Sequence, residues 1–121
     1  AEVKNGLKWS LNKAREHGVA DEQIALDIGL GFSKTFEQNL DLIAKLDQIC
    51  VEFGEFPILF GSSRKSFIGK LLGDVPPAER LRGSLATAAL AAWNGAKIVR
   101  VHDVKETVET LRVIEAVKGQ K

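Results

Sequence analysis

The chain has 121 residues, 45% hydrophobic and 27% charged, with a formal net charge of +1 at pH 7. That length can hold one domain with a real core, and the even charge balance excludes a strongly basic nucleic-acid surface. A single cysteine, Cys50, excludes an intrachain disulfide, and no apolar run is long enough to span a membrane. Methionine is absent even at position 1, so the chain is expected to be a processed protein or a piece of a longer one.

Val3, Leu7, Leu11 and Ala14 recur at helical spacing, and Gly18 is a natural stop. Ile24-Ala25-Leu26 reads as a short strand ending at Asp27, followed by the glycine loop Gly29-Leu30-Gly31-Phe32-Ser33-Lys34. A helix then runs from about Thr35, with Phe36, Leu40, Ile43, Leu46 and Ile49 on one face. Gly54 and Pro57 bracket the turn into a second strand, Ile58-Leu59-Phe60. A short helix follows through Phe67, Ile68, Leu71 and Leu72 and stops near Gly73. Pro76-Pro77 breaks the chain, and the pattern from Ala78 to Trp93 predicts one long helix with Pro77 in its first turn. Lys97 to Val101 is the third strand, and Val104, Val108, Leu111 and Ile114 mark a last helix. Strands separated by helices predict an α/β fold with a parallel sheet. Three strands leave unpaired edges, so the chain is expected to belong to a larger α/β structure.

Each strand end carries a polar cluster, and a parallel sheet puts all three at one end and so at one site. The sharpest is Gly61-Ser62-Ser63-Arg64-Lys65-Ser66-Phe67-Ile68-Gly69, where a strand hands over to a helix. Backbone N–H groups, hydroxyls and two adjacent cations there suit a phosphate or a carboxylate. Helix capping by Ser62 or Ser63 explains the serines but not Arg64-Lys65. Asp27 either caps its own turn or accepts two N–H bonds from the guanidine-like edge of a heterocycle, and spacing leaves both open. Phe32 either stacks on a flat ligand or anchors its loop, and Lys34 reads as a solvated lysine. Arg100 and His102 alternate with Val101 and point to one side, which suits pyrophosphate. Asp103 is placed to cap the last helix. Arg80 and Arg82 begin the long helix, where its dipole does not favour cations, and a contact with a partner is open. His17, Trp9, Trp93 and Cys50 read as structural.

Taken together, Asp27-Ile28-Gly29-Leu30-Gly31-Phe32, Ser63-Arg64-Lys65-Ser66-Phe67-Ile68-Gly69, Arg100-Val101-His102-Asp103-Val104 and Pro77-Ala78-Glu79-Arg80-Leu81-Arg82-Gly83-Ser84-Leu85-Ala86 resemble the dihydropteroate synthase family. The similarity covers nearly the whole chain, against the C-terminal half of that enzyme. It implies a (β/α)₈ barrel, with residues 1–121 as the C-terminal part holding strands six to eight. It also implies the reaction: p-aminobenzoate condenses with 6-hydroxymethyl-7,8-dihydropterin pyrophosphate to give 7,8-dihydropteroate and pyrophosphate, a step of folate synthesis. By resemblance, Asp27, Phe32 and Lys65 would bind the pterin, and Ser63, Arg64, Ser66 and Phe32 the p-aminobenzoate. Arg100, Val101 and His102 would hold the pyrophosphate, and Lys65, Arg100 and His102 form the expected catalytic set. Ile28 stands where the family has proline.

The resemblance further implies Mg²⁺ bound by an asparagine of the N-terminal half, a homodimer through the C-terminal helices, a cytoplasmic location and sensitivity to sulfonamides. The N-terminal half is the expected partner, and the chain alone is expected to be inactive. Two other readings compete: a non-catalytic, anion-binding half-barrel, and a pterin-binding methyltransferase-like domain. The Ser-Arg-Lys-Ser run and the Arg-Val-His triplet favour the synthase over the methyltransferase.

Overall fold

A computed structural model describes residues 2–31 and 34–120. Helix α1 (Glu2–Glu16) forms where the apolar spacing places it and buries Leu7 and Leu11. It closes on Gly18 at φ +82°, with the Gly18 N–H donating to Arg15 and the Val19 N–H to Ala14. Those are the paired bonds of a Schellman stop, which glycine makes without steric cost. A 3₁₀ turn at Asp21–Gln23 leads into strand β1 (Leu26–Asp27).

Thr35 begins the next helical segment with a reciprocal cap: its hydroxyl accepts from the Gln38 N–H, and the Gln38 side chain accepts from the Thr35 N–H. The expected single helix is two, α2 (Phe36–Ala44) and α3 (Leu46–Glu52), parted by Lys45 at φ −104° and ψ 13°. Neither glycine nor proline stands there; the Lys45 N–H still donates to Asp41 and its carbonyl still accepts from the Ile49 N–H, and Leu42, Ile43, Leu46 and Ile49 still reach the core. Strand β2 (Ile58–Phe60) and helix α4 (Ser66–Leu71) follow as expected. The long helix begins later than its pattern suggests: Pro77–Glu79 is a 3₁₀ turn, and α5 runs Leu81–Trp93. Strand β3 (Ile98–Val99) and α6 (Val104–Lys118) complete the chain, with α5 packed along α6.

The sheet order is β1-β2-β3, all parallel, with Leu26 opposite Ile58, Leu59 opposite Ile98 and Phe60 opposite Val99. β3 is shorter than its apolar run for a specific reason. Its pairing persists through Lys97 N–H to Ile58 and Arg100 N–H to Phe60. Then the His102 N–H finds the Ser63 hydroxyl at 3.1 Å instead of a strand partner, and the chain turns away.

The two faces of the sheet differ. Leu26, Ile58 and Phe60 lie on one face, 5%, 1% and 0% exposed, against the helices. Asp27, Leu59 and Ile98 lie on the other, where Ile98 is 39% exposed and Asp27 is open to solvent. Parallel sheets are normally covered on both faces; this one is covered on one.

α4 and α5 approach closely because Gly83 has no side chain: a Cβ there would collide with Cγ2 of the buried Ile68. Alanine would gain up to about 1 kcal/mol in helix propensity, but overpacking a fixed core typically costs about 1–3 kcal/mol. The branched, fully buried Ile68 cannot yield cheaply, so the clash wins. Gly83→Ala is expected to lower stability in chemical denaturation, and an unchanged midpoint would show that Ile68 moves aside.

Candidate functional site

The site is assembled from three loops at the carboxyl end of the strands. In the first, Asp27 does two things at once. Its Oδ1 accepts from the Gly29 N–H at 2.8 Å, and its Oδ2 accepts from Arg100 Nη1 at 3.3 Å. The local turn and the cross-sheet contact therefore use different oxygens of one carboxylate. Gly29 and Gly31 have φ of +69° and +86°, a region open to glycine at little cost. Lys34 Nζ donates to the Gly29 carbonyl at 2.7 Å, and Lys65 Nζ donates to the Leu30 carbonyl. Lys34 is thus tied into the loop rather than solvated. The buried Asn39 on α2 accepts from the Gly31 N–H at 2.8 Å. Phe32 lies outside the described residues.

In the second loop the serines do not cap α4, whose N-cap residue is Lys65. Ser62 pairs with Thr87 Oγ1 of α5 at 2.7 Å, and Ser63 Oγ lies 2.8 Å from His102 Nδ1. When Ser63 donates in that pair, the neutral imidazole carries its proton on Nε2. Arg64 stands at φ +58°. Its Nε and Nη2 donate to the two oxygens of Asp103 at 3.3 and 2.9 Å. Hydrogen bonding to Arg64 holds the Asp103 carboxyl below the usual carboxylate range. Asp103 occupies the N-cap position of α6, but its side chain goes to Arg64 and makes no cap bond. Ser66 opens α4 and is exposed.

In the third loop Arg100 lies on the open face beside Asp27. It crosses above Gly61, where a Cβ would meet Arg100 Nη2 at 2.6 Å. Only glycine leaves that path clear. Val101 is half-buried and His102 exposed. Burial, then Arg100, and more weakly Lys34 push the Lys65 amine below the ordinary lysine value, while Asp27 works against them. Asp27, Lys65 and Arg100 therefore converge, with Ser63 and His102 alongside, and Arg64 is turned to Asp103. The cluster is cationic and faces the uncovered side of the sheet, an arrangement that can bind an anion next to a hydrogen-bond acceptor.

Metal is a different matter. Among the described residues no group of three or more His, Cys, Asp or Glu could hold a metal ion. Asp27 and Asp103 are committed to arginines, so this donor set does not fit a magnesium ion.

The model of the pterin binding enzymes matches residues 1–102. The chain belongs to the pterin-binding enzyme family. It is 49% identical to dihydropteroate synthase of Escherichia coli (strain K12), over 100% of this chain and 42% of that protein. With the synthase of Synechocystis it shares 45% identity over 95% of this chain and 39% of the relative. Its backbone matches a Yersinia pestis dihydropteroate synthase solved with a sulfonamide drug complex, with a TM-score of 0.93 and 41% identity. That match covers 99% of this chain and 43% of the other. A Xanthomonas albilineans synthase in complex with 7,8-dihydropteroate matches at a TM-score of 0.91 and 41% identity, over 97% of this chain and 45% of that one. The resemblance read from the four runs of residues is borne out, as is an α/β fold of parallel strands and helices. The chain spans less than half the length of the curated relatives it matches.

Sequence reasoning missed Asn39, Ser84 and Thr87 among the residues that hold the site; it singled out Arg80 and left a partner contact open, and Arg80 binds the Val75 and Arg64 carbonyls of its own chain. A buried asparagine on an apolar helix face was the only signal for the first.

Three outcomes follow for this cluster. In a titration of labelled lysine followed by carbon NMR, Arg100→Ala should raise the Lys65 midpoint, since a positive neighbour is lost, and Asp27→Asn should lower it. Gly61→Ala should shift Lys65 in the same direction as Arg100→Ala by driving the guanidinium off its path; a midpoint identical to that of the parent chain would remove Gly61 from the account.

Proposed function

We propose that this chain supplies the C-terminal part of a dihydropteroate synthase barrel, strands six to eight, spanning residues 1–121. The observation that carries the reading is the convergence of Asp27, Lys65 and Arg100 on the uncovered face of a parallel sheet. In a closed barrel such a face is the interior, and sites lie at its carboxyl end. Relatives of that name at 45–49% identity support the substrate class.

In this reading the amine nitrogen of p-aminobenzoate attacks the methylene carbon of the dihydropterin pyrophosphate. The C–N bond forms as the C–O bond breaks, pyrophosphate departs with the electron pair, and the nitrogen then releases one proton to the departing pyrophosphate or to water. Asp27 accepts from the amino edge of the pterin through lone pairs that Gly29 and Arg100 leave open, and Lys65 lies against the same ring. Arg100, the Val101 backbone and His102 hold the departing pyrophosphate, whose charge grows as the bond breaks; fixed cations stabilise that change. Ser66, with Ser63 and Arg64 nearby, holds the p-aminobenzoate carboxylate, while the Arg64 guanidinium stays paired with Asp103. Magnesium would be held outside this chain, and no step here runs through it.

Other parts of the reading have their own support. Leu90 and Trp93 on α5 and Val104, Val108, Val113 and Val117 on α6 are exposed, which suits a homodimer through these helices. No helix among the described residues is long and apolar enough to cross a membrane. A cytoplasmic location is part of the synthase reading, and the related Yersinia pestis synthase solved with a sulfonamide drug complex supports a sulfonamide target. In this reading the N-terminal half would cover the sheet's open face.

The test is reconstitution. The chain alone is expected to form no dihydropteroate, and mixing it with the N-terminal half of a relative should restore aminobenzoate incorporation. Arg100→Ala should then cut turnover by about 10²-fold, the usual cost of one electrostatic donor to a developing charge. Full turnover by the chain alone would sink the half-barrel reading.

A further inference from the structure

We propose that Arg80 is a positioning residue: it locks the left-handed turn at Arg64 and so delivers the Lys65 side chain to the Leu30 carbonyl and Arg100. Arg64 is not a glycine, yet it stands at φ +58°, a conformation that costs about 1–2 kcal/mol for an L-residue. Something must hold it there, and both of its backbone polar groups are held from the start of α5. Arg80 Nη1 donates to the Arg64 carbonyl at 2.8 Å, and the Arg64 N–H donates to Ser84 Oγ at 2.9 Å. Ser84 in turn donates to the Arg80 carbonyl at 2.8 Å, so the two contacts form one unit.

The guanidinium is itself fixed. Arg80 Nε donates to the Val75 carbonyl at 2.9 Å. Its plane lies over Gly69 of α4, where any Cβ would collide with Nε. A planar fork reaches two carbonyls at set angles; an ammonium has three donors on a flexible stem and no fixed fork to fit both at once. This explains why an arginine stands where the helix dipole does not favour a cation. It also explains why α5 starts at Leu81: the residue before it is committed to the loop. Lys65 follows Arg64 directly, so the direction of its side chain is set by a residue that touches no part of the cluster.

The relevance of this to catalysis rests on the synthase reading, but the test does not. Arg80→Lys and Arg80→Gln are compared with the parent chain and with Arg82→Gln, an exposed arginine on the same turn. Folding is followed by cooperative melting, and Lys65 by its own titration in labelled-lysine NMR. If Arg80 positions the turn, Lys65 leaves its partly buried place beside Arg100. Its midpoint then rises toward that of a solvated lysine in both Arg80 variants, less in Arg80→Lys, and does not move in Arg82→Gln. A folded Arg80→Gln with the parent's Lys65 midpoint overturns the proposal. Loss of the cooperative melt in both Arg80 variants overturns it too, by making Arg80 a residue of the fold rather than of the site. Failure of the parent chain to restore synthesis, with the Lys65 shift present in the Arg80 variants, would instead count against the synthase reading alone.

Discussion

The geometry of the site depends on where two buried hydroxyls go. Ser62 and Ser63 follow a strand and precede a helix, a place where serine ordinarily caps. Here both are buried and turned sideways, Ser62 to Thr87 on α5 and Ser63 to His102 beyond β3. A buried hydroxyl without a partner is costly, so these bonds are hard to give up. They stitch the end of β2 to the element on either side. Arg100 and Lys65 can then face the same volume although they sit on different loops. Among the described residues no buried side-chain nitrogen or oxygen lacks a hydrogen-bond partner, so the network is complete.

The charges follow from that stitching. Lys65 feels the positive charges of Arg100 and Lys34 and the single carboxylate of Asp27. Like charges held together raise the energy of the resting protein, and an arriving anion relieves it. Two of the cations are also bound to backbone carbonyls of the Gly29–Gly31 loop, which keeps them near each other. Arg64 is the exception. Its bidentate pairing with Asp103 takes one cation of the run out of the cluster and joins the loop to the start of α6.

Much of this was legible in the residues. The three strand-end clusters, their order and the glycines around Asp27 were readable because polar side chains at the end of short apolar strands have few structural uses. The alternation of Arg100 and His102 predicted one side of the strand for both, and Arg100 does reach Asp27, while Ser63 turns His102 out of the strand direction. What was not legible depended on partners distant in sequence. Asp103 sits at a capping position by local rules, but Arg64 outbids the N–H groups for its carboxylate. Ser84 and Thr87 read as helix residues until β2 is laid beside them. The break at Lys45 has no breaker residue, and the shortened β3 reflects a hydroxyl on another loop. Local propensity is a weak prior in such places, and tertiary contacts decide.

The strand order has a bearing on how the molecule is made. Because β1, β2 and β3 are neighbours in chain order, each strand leaving the ribosome pairs with the one made just before it. Leu26 waits only for Ile58, and Leu59 only for Ile98. No strand has to be inserted between two already formed, so no completed pairing must open to admit a later one. The slow step in parallel sheets is closing long loops before any contact rewards it. Here that cost is met in successive helix-bearing crossovers, so synthesis and folding can advance together from the amino end.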